Sequence, residues 1–224
     1  MTLRTRILAL GMTGLLAATA ATAATPAFAS DATADKNMLT EKQVPKSFGT
    51  PTSRDFVAKA EDKKIVACDT ADGKVLVSTD APGTQYSVNI PTKNKKTYTE
   101  LNETVYVYNT AKQATDAFNQ LFNNLSKCTG SSTLKQPPDI TDTITSGSYP
   151  GGQYADFWVN TGSVATGGDQ CKKPCRSVVQ AVYVQAGTSI IKTWAYINGK
   201  GQLTGKQSND LADLAETLAG AWAS

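Results

Sequence analysis

Histidine is absent from this chain of 224 residues, and its absence narrows the possible chemistry. Ser-His-Asp and Cys-His catalysis, histidine metal sites and the commonest proton shuttle near neutral pH are all excluded. A pair of carboxylates could still hydrolyse a glycan, and the acidic residues near predicted strands are Glu100, Glu103, Asp142 and Asp156. The sequence does not place any two of them within the ~5 to 10 Å that such chemistry uses. We therefore predict a protein that is not an enzyme, with a cell-wall glycan hydrolase as the alternative.

Complete motifs for other chemistry are also missing. Ser132 and Lys135 have the S-x-x-K spacing of penicillin-recognising enzymes, but S-D-N and K-T-G do not occur and Pro137 follows at once. Asp72 and Gly73 lack the spacing of a calcium loop and are typical of a hairpin turn. We therefore expect no metal ion and no cofactor.

Neither sign of charge is in large excess, with 22 Lys and Arg residues against 19 Asp and Glu. The densest basic patch consists of Lys93, Lys95 and Lys96. Because this patch is short and loop-like, we interpret it as a solvated turn, although a wall polymer could contact it. The composition therefore indicates no nucleic-acid partner.

The first 29 residues have the order of an export signal. Arg4 and Arg6 supply a basic start, residues 7–24 form an apolar run, and Ala27-Phe28-Ala29 matches the pattern that signal peptidase cuts. The alternative is a membrane anchor, which the Gly and Thr residues within the run and the following Pro26 disfavour. We predict cleavage after Ala29, a secreted protein without stable membrane insertion, and a formal charge that falls from +3 to +1 when both arginines are lost.

Four cysteines follow the signal: Cys68, Cys128, Cys171 and Cys175. An even number in an exported protein favours two disulfides over metal ligation. Three pairings are possible, and Cys171 is close enough in sequence to bond Cys175 across a tight loop, which leaves Cys68 for Cys128. A zinc site is the alternative, but zinc knuckles use two short cysteine pairs and only one is present.

Alternation of apolar and polar residues predicts strands along much of the chain. They are expected near residues 75–77, 86–90, 97–101, 104–108, 140–149, 153–160, 175–185 and 189–198.

Helical spacing of apolar residues predicts two long amphipathic helices, over residues 110–128 and from about Ser208 onward. Short helical pieces are expected at 38–44 and 54–61. Residues 30–37 are expected to be a flexible lead and residues 161–169 a mobile loop. The prediction is one α+β domain over residues 38–224, an antiparallel sheet of about six to eight strands with the two long helices packed on it.

Several segments, taken in order, resemble the extracellular sensor domain of actinobacterial membrane Ser/Thr kinases of the PknH type, a domain also found in stand-alone exported proteins. The segments are Met38-Leu39-Thr40 with Val44-Pro45 and Phe48-Gly49, Ala67-Cys68, the run from Val105 to Tyr108 into the helix ending at Cys128, the hairpin around Gly187 to Ile191, and the last helix, rich in small residues. The resemblance implies an antiparallel sheet with flanking helices, two disulfides of which Cys68–Cys128 is the first, and a groove for an extracellular ligand.

This chain differs from that pattern in two ways. No kinase or membrane helix precedes the domain, and the second cysteine pair lies in the tight Cys171 to Cys175 loop. We therefore expect a stand-alone secreted member that does not transmit a signal across a membrane.

Aromatic residues in the second half of the chain supply candidate ligand-binding positions. A sheet with helices on one face would leave the other face open, and aromatic side chains there would line a binding surface. The candidates are Tyr154, Trp158, Trp194 and Tyr196. We predict a secreted ligand-binding or sensor-like module whose partner is an extracellular small molecule, a cell-wall component or a protein. A secreted inhibitor or structural surface protein is the remaining alternative.

Overall fold

The computed structural model describes residues 31–58, 62–94, 97–136, 138–149, 151–167, 171 and 173–223. The predicted signal, residues 1–29, lies outside this part of the chain, as do Lys95 and Lys96 of the basic patch. No helix within the described ranges has the length and apolar character needed to cross a membrane.

The domain contains eleven described strands and three α-helices. The strands are β1 (Thr50–Pro51), β2 (Asp55–Ala58), β3 (Lys64–Asp69), β4 (Val75–Asp80), β5 (Thr84–Asn94), β6 (Thr97–Val107), β7 (Gly130–Leu134), β8 (Asp139–Gly147), β9 (Ala155–Thr166), β10 (Cys175–Ala186) and β11 (Ser189–Asn198). The helices are α1 (Asp31–Asn37), α2 (Ala111–Phe122) and α3 (Gly205–Trp222). Short 3-10 turns cover Glu41–Gln43, Lys46–Phe48 and Leu125–Lys127.

Nine of the strands form one antiparallel sheet in the order β1-β5-β6-β11-β10-β9-β8-β7, with β2 also pairing with β5. Strands β7 to β11 follow one another as a meander, and the β5–β6 hairpin joins this meander where β6 pairs with β11. Strands β3 and β4 form a separate hairpin. The predicted α+β class and antiparallel sheet are confirmed.

The two long helices lie on opposite faces of the sheet. On one face, called the α3 face, α1, the first 3-10 turns and α3 bury a core with sheet residues such as Leu101, Val182 and Ile191. On the other, called the α2 face, the β3–β4 hairpin and α2 bury Tyr106, Phe157, Tyr183 and their neighbours. The expectation that helices would cover one face only is therefore wrong, because each face has its own apolar layer.

Helix α3 shows how local sequence sets an element's start. The predicted apolar stripe is buried, from Leu211 to Trp222. The helix begins at Gly205, earlier than expected, because Thr204 and Gln207 form a capping box. The Gln207 Nε2 also donates to the Ser47 carbonyl at 3.0 Å, which joins the helix start to the second 3-10 turn.

Both expected disulfides are formed. Cys68 on β3 bonds Cys128 after the third 3-10 turn, with the Cα atoms 5.8 Å apart. Cys171 bonds Cys175 with the Cα atoms 5.5 Å apart. The first bond therefore ties the β3–β4 hairpin to the end of the α2 segment, so that the layer on the α2 face is held together covalently.

Three segments differ from the sequence expectations. Residues 54–61 are expected to be helical, but residues 55–58 form β2 because Phe56 pairs with Val88 of β5, and residues 59–61 lie outside the described residues. Residues 31–37 of the expected flexible lead form α1, since Ala34 is buried in the core and Asp35 forms an ion pair with Arg54 at 2.7 Å.

The expected mobile loop at 161–169 instead continues β9 as far as Thr166, and residues 168–170 lie outside the described residues. The segment is strand because β8 and β10 pair with it on both sides. Gly162 is suited to this place, since a Cβ atom there would lie 2.8 Å from the Gly201 carbonyl oxygen.

Candidate functional site

The four candidate aromatic residues fall into two pairs on opposite faces of the sheet. Trp158 and Tyr154 pack against the core of the α3 face. Trp194 packs at the margin of the core on the α2 face, and Tyr196, two residues along the same strand, shares that face. The candidates therefore do not form one binding surface.

Tyr154 and Trp158 are engaged in packing. A Cβ atom on Gly147 would lie 2.8 Å from the Trp158 ring, so the absence of a side chain there makes room for the indole. The Tyr149 and Trp158 ring centroids are 6.4 Å apart. The Tyr154 hydroxyl lies against Gly220 of α3, 3.9 Å from the place of a Cβ atom. These contacts give the pair a structural role between β9 and α3.

The four carboxylates considered for hydrolysis are also divided between the faces. Glu103 and Asp156 are on the α3 face and are three strands apart, whereas Glu100 and Asp142 are on the α2 face and are four strands apart. At ~4.8 Å per strand these separations are about 14 and 19 Å. Both exceed the ~5 to 10 Å needed for paired-carboxylate hydrolysis. Among these residues the fold forms no catalytic pair on either face.

Trp194 and Tyr196 belong to a patch of the α2 face that lies beyond the covering hairpin and helix. We call this patch the polar strip. Its residues come from four neighbouring strands and are Asp55 of β2, Ser87 and Asn89 of β5, Glu100, Asn102 and Thr104 of β6, and Lys192, Trp194 and Tyr196 of β11. None of the β5 residues is in the core of this face, and β6 contributes only Tyr106 to that core.

Strand register sets the neighbours of Trp194. Asn102 lies directly opposite it on β6, and Asn89 lies opposite Asn102 on β5. The adjacent row on the same face contains Ser87, Thr104 and Lys192. Directly paired side chains on one face are ~5 Å apart at Cβ. The indole is therefore bordered by amide and hydroxyl groups.

Uncharged groups of the strip form a hydrogen-bonded set. The Thr104 hydroxyl donates to Asn102 Oδ1 at 3.1 Å, and Asn102 Nδ2 donates to Ser87 Oγ at 3.3 Å. The Ser87 and Thr104 hydroxyl oxygens are 3.4 Å apart. Within the described residues the Asn89 Oδ1 is buried and accepts no hydrogen bond. This amide therefore has acceptor capacity that the fold does not use.

Two charged side chains of the strip, Lys192 and Glu100, interact with neighbouring side chains. Lys192 Nζ lies 5.5 Å from the centre of the Tyr183 ring. Burial and the carboxylate of Asp142 raise the pKa of Asp69, and the positive charge of Lys192 opposes that rise. At the other end, Glu100 Oε2 accepts from the Tyr98 hydroxyl at 3.1 Å. Lys192 and Glu100 thus lie at the two ends of the strip, each close to a partner, and the exposed carboxylate of Asp55 lies beside Asn89.

The polar strip is only partly open to solvent, because Asn102, Thr104 and Tyr196 are buried whereas Trp194 is partly exposed. In the part of the chain that the structure describes, the two best-formed depressions lie elsewhere. One of about 260 Å³ lies between β4 and α2, with Val75, Gln120 and Lys127 in its lining, and one of about 250 Å³ lies between Pro45 and α3.

One of the four candidate carboxylates, Glu103, lies inside the core of the α3 face, which the sequence analysis did not predict. Glu103 has no exposed surface, and its Oε2 accepts from the Leu39 backbone N–H at 2.6 Å. Burial raises the pKa of Glu103 to about 8, and the Leu39 N–H, the Arg54 charge and the Trp222 indole oppose that rise. The Glu103 Oε1 and the Trp222 Nε1 do not meet hydrogen-bond geometry with each other, and neither atom has another hydrogen-bond partner in the described residues. The alternation Leu101, Glu103, Val105 is the sequence signal that placed this carboxylate inside.

Comparison with known proteins identifies the fold. No protein-family model matches the chain, and no curated protein matches its sequence. The fold is similar to that of the crystal structure of the extracellular domain of PknH from Mycobacterium tuberculosis, with a TM-score of 0.52. The alignment covers 86% of this chain and 97% of that chain at 12% sequence identity. The PknH-like fold predicted from the sequence is confirmed.

At this identity the likeness describes the arrangement of elements and not the side chains. The chemistry of this PknH-like fold must therefore be argued from its own residues. Among them, the polar strip combines the partly exposed Trp194 ring with amide and hydroxyl groups on the neighbouring strands.

Proposed function

We propose that this protein is a secreted, non-catalytic, sensor-like module that binds an extracellular ligand on the polar strip. The observation that carries the proposal is the partly exposed Trp194, bordered by Asn102 and Thr104 on a sheet face that the α2 layer covers only in part. An aromatic ring beside amide and hydroxyl groups supplies both apolar contact and directed hydrogen bonds.

Two further observations favour binding over catalysis. The chain has no histidine, and the four candidate carboxylates Glu100, Glu103, Asp142 and Asp156 do not pair with one another. An extracellular place is supported by two disulfides, which persist in oxidising compartments, together with the predicted signal at residues 1–29. The likeness to an extracellular domain agrees with this proposal.

The test is binding of the mature protein to an isolated cell-envelope fraction of the source organism. We expect Trp194→Ala to weaken retention at least about tenfold, which corresponds to about 1.4 kcal/mol. Phe122→Ala is the matched control, because Phe122 is also an exposed aromatic residue of the α2 side, 40% accessible, but lies outside the strip. Retention that is equal for wild type and Trp194→Ala would overturn the proposal.

A hydrolytic role is tested on the same material. The proposal predicts that incubation releases neither sugars nor peptides above the level of a buffer control. Release that is abolished by Asp142→Asn or Glu100→Gln would favour the hydrolase alternative instead.

A further inference from the structure

We infer that Glu103 is a proton-dependent latch for the N-terminal strap, the name we give to α1 and residues 38–40. A protonated Glu103 keeps the strap closed over the α3 face. Ionisation of Glu103 favours opening of the strap while the sheet beneath it stays folded. The strap lies on the face opposite the polar strip, so its opening is independent of the proposed ligand site.

Polar contacts from two side chains hold the strap, and Glu103 is the more deeply buried of the two. Its Oε2 accepts from the Leu39 backbone N–H at 2.6 Å. Arg54 donates to the Leu39 carbonyl at 2.7 Å and to the Asp35 carbonyl at 3.1 Å. The same guanidinium forms an ion pair with the Asp35 carboxylate at 2.7 Å. Leu39 is therefore fixed through both its N–H and its carbonyl.

The surroundings of Glu103 give an ionised carboxylate little compensation. Val88 of β5 and the buried Thr193 of β11 lie directly beside it in the sheet. The indole of Trp222 approaches it from α3. Among the described residues, the Glu103 Oε1 has no hydrogen-bond partner. Since a buried charge is costly unless it is paired and hydrogen-bonded, the closed strap favours the protonated form.

Charged and titratable groups on the elements around Glu103 do not change this conclusion. Those nearest to the same core are Arg54, Asp35 of α1, Tyr86 of β5, and Asp156 of β9 with Glu216 of α3. Asp156 is three strands from Glu103, about 14 Å. Only Arg54 favours the ionised form, and it is already bound to the strap. Other charged residues of α1, the 3-10 turns and α3 are exposed or ion-paired: Lys36, Glu41, Lys42, Lys46, Lys206, Asp210 and Asp213.

Proton binding links the opening of the strap to pH. Burial raises the pKa of Glu103 to about 8 from an ordinary value of 4.5. When the strap opens, water reaches the carboxyl group and its pKa returns towards the ordinary value. The closed state thus binds the proton more tightly, and this advantage is complete below pH 4.5 and lost as the pH rises to about 8. The opening equilibrium constant therefore rises by up to about tenfold per pH unit in this window.

The strap can open by itself because the chain is anchored again directly after it. Gln207 Nε2 donates to the Ser47 carbonyl at 3.0 Å, and the Thr92 hydroxyl donates to the Phe48 carbonyl at 2.6 Å. These contacts hold the second 3-10 turn on α3 and β5 without any part of the strap. The buried apolar residues that opening exposes are Ala34, Met38 and Leu39.

Native-state hydrogen exchange of the mature protein, followed by NMR between about pH 5 and pH 8, tests the latch. After correction for the intrinsic exchange rate, we expect the protection factor of the Leu39 amide to fall about tenfold per pH unit. It should also stay at least about tenfold below that of the Ile191 amide in the central strand β11, because local opening precedes global unfolding.

Two variants connect the pH dependence to Glu103. Glu103→Gln keeps an acceptor for the Leu39 N–H but cannot ionise, so Leu39 protection should change less than about twofold across the same range. Asp35→Asn is the control, since it removes the ion pair with Arg54 from the same strap. It should lower Leu39 protection at every pH and leave the slope as in the wild type. Both variants should match the wild-type circular dichroism spectrum at about pH 5.

Three results would overturn the inference. They are Leu39 protection that does not change with pH in the wild type, an equal slope in wild type and Glu103→Gln, and Leu39 protection equal to that of Ile191 at every pH. The last result would mean that Glu103 affects global unfolding only. None of them alters the envelope-binding test with Trp194→Ala, so the proposed function would stand or fall separately.

Discussion

At the scale of single residues, Glu103 is the least expected feature of the molecule. It occupies an inward position of β6 between the core residues Leu101 and Val105, with Val88 of β5 on one side and the buried Thr193 of β11 on the other. A carboxyl group there keeps its proton more readily than in water, since burial disfavours the charged carboxylate. One carboxyl oxygen of Glu103 accepts a hydrogen bond from the Leu39 backbone N–H at 2.6 Å. This bond holds the N-terminal segment on the sheet.

The buried position of Glu103 makes the stability of the fold depend on pH. Its pKa is about 8 in the folded state, against an ordinary value of 4.5, so the folded state binds the proton more tightly. The stabilisation of the folded state by this bound proton is complete below the ordinary pKa of 4.5 and is lost as the pH rises through the folded-state pKa of about 8. We predict that the free energy of unfolding falls by at most about 1.4 kcal/mol per pH unit in this window.

Glu103→Gln should flatten that dependence and make the protein more stable than wild type near pH 8, because the amide oxygen can still accept the Leu39 N–H. Urea unfolding followed by circular dichroism between about pH 5 and pH 8 measures both effects. Because the chain has no histidine, the side chain that usually titrates in this pH range does not contribute to the slope. Glu100→Gln, on the opposite face of β6, is the control and should leave the slope unchanged. A slope equal in wild type and Glu103→Gln would contradict the prediction.

At the scale of elements, the layer on the α2 face depends on the Cys68–Cys128 bond. This bond closes a sequence separation of 60 residues, against 4 for Cys171–Cys175. A crosslink stabilises mainly by reducing the entropy of the unfolded chain, and more so for a longer loop. The two bonds are therefore expected to contribute unequally.

We predict that Cys68→Ala with Cys128→Ala lowers the free energy of unfolding by about 4 kcal/mol, and that Cys171→Ala with Cys175→Ala lowers it by about 2 kcal/mol. Urea unfolding of the two double variants under oxidising conditions gives the comparison. An equal loss, or a larger loss for the short loop, would show that loop length does not govern the stabilisation.

The elements also show where sequence reasoning succeeds and fails. The β10–β11 hairpin, the stripe of α3 and both cysteine pairs were predictable, since each depends on periodicity or spacing within a short stretch. Strand β2 was not, because Phe56 is placed by its pairing with Val88, far along the chain. The extension of β9 through Gly162 likewise depends on strands on both sides.

At the scale of the whole molecule, the described domain begins with α1 at Asp31, two residues after the predicted cleavage site. Ala34 of this helix is buried and Asp35 pairs with Arg54, so the first turns after the signal take part in the fold. Residues 31–37, expected to belong to a flexible lead, are therefore part of the folded domain.

We predict that the full chain, expressed in a bacterial host that exports it, is recovered outside the cytoplasm with Ser30 as its first residue. N-terminal sequencing and intact mass measure this directly. Ala29→Asp is the control, since a charged residue at the cleavage position should block processing. Recovery of the uncleaved chain in the membrane fraction would favour the anchor alternative.

The candidate site could be predicted only in part. Trp194 and Tyr196 were candidates because aromatic residues lie on strands near one another, but the same reasoning selected Tyr154 and Trp158, which pack under α3. The amides beside Trp194 were not identified, because Asn89 and Asn102 reach it through the pairing of β5 with β6 and of β6 with β11.

The sequence by itself determined the absence of histidine chemistry, the α+β class and the pairing of the cysteines, since these follow from composition and local spacing. Only the tertiary structure decided which face each helix covers, that the four candidate carboxylates are apart from one another, and that a polar strip forms around Trp194. The reason is that strand order and register bring together residues far apart in the chain, and no local pattern records those pairings.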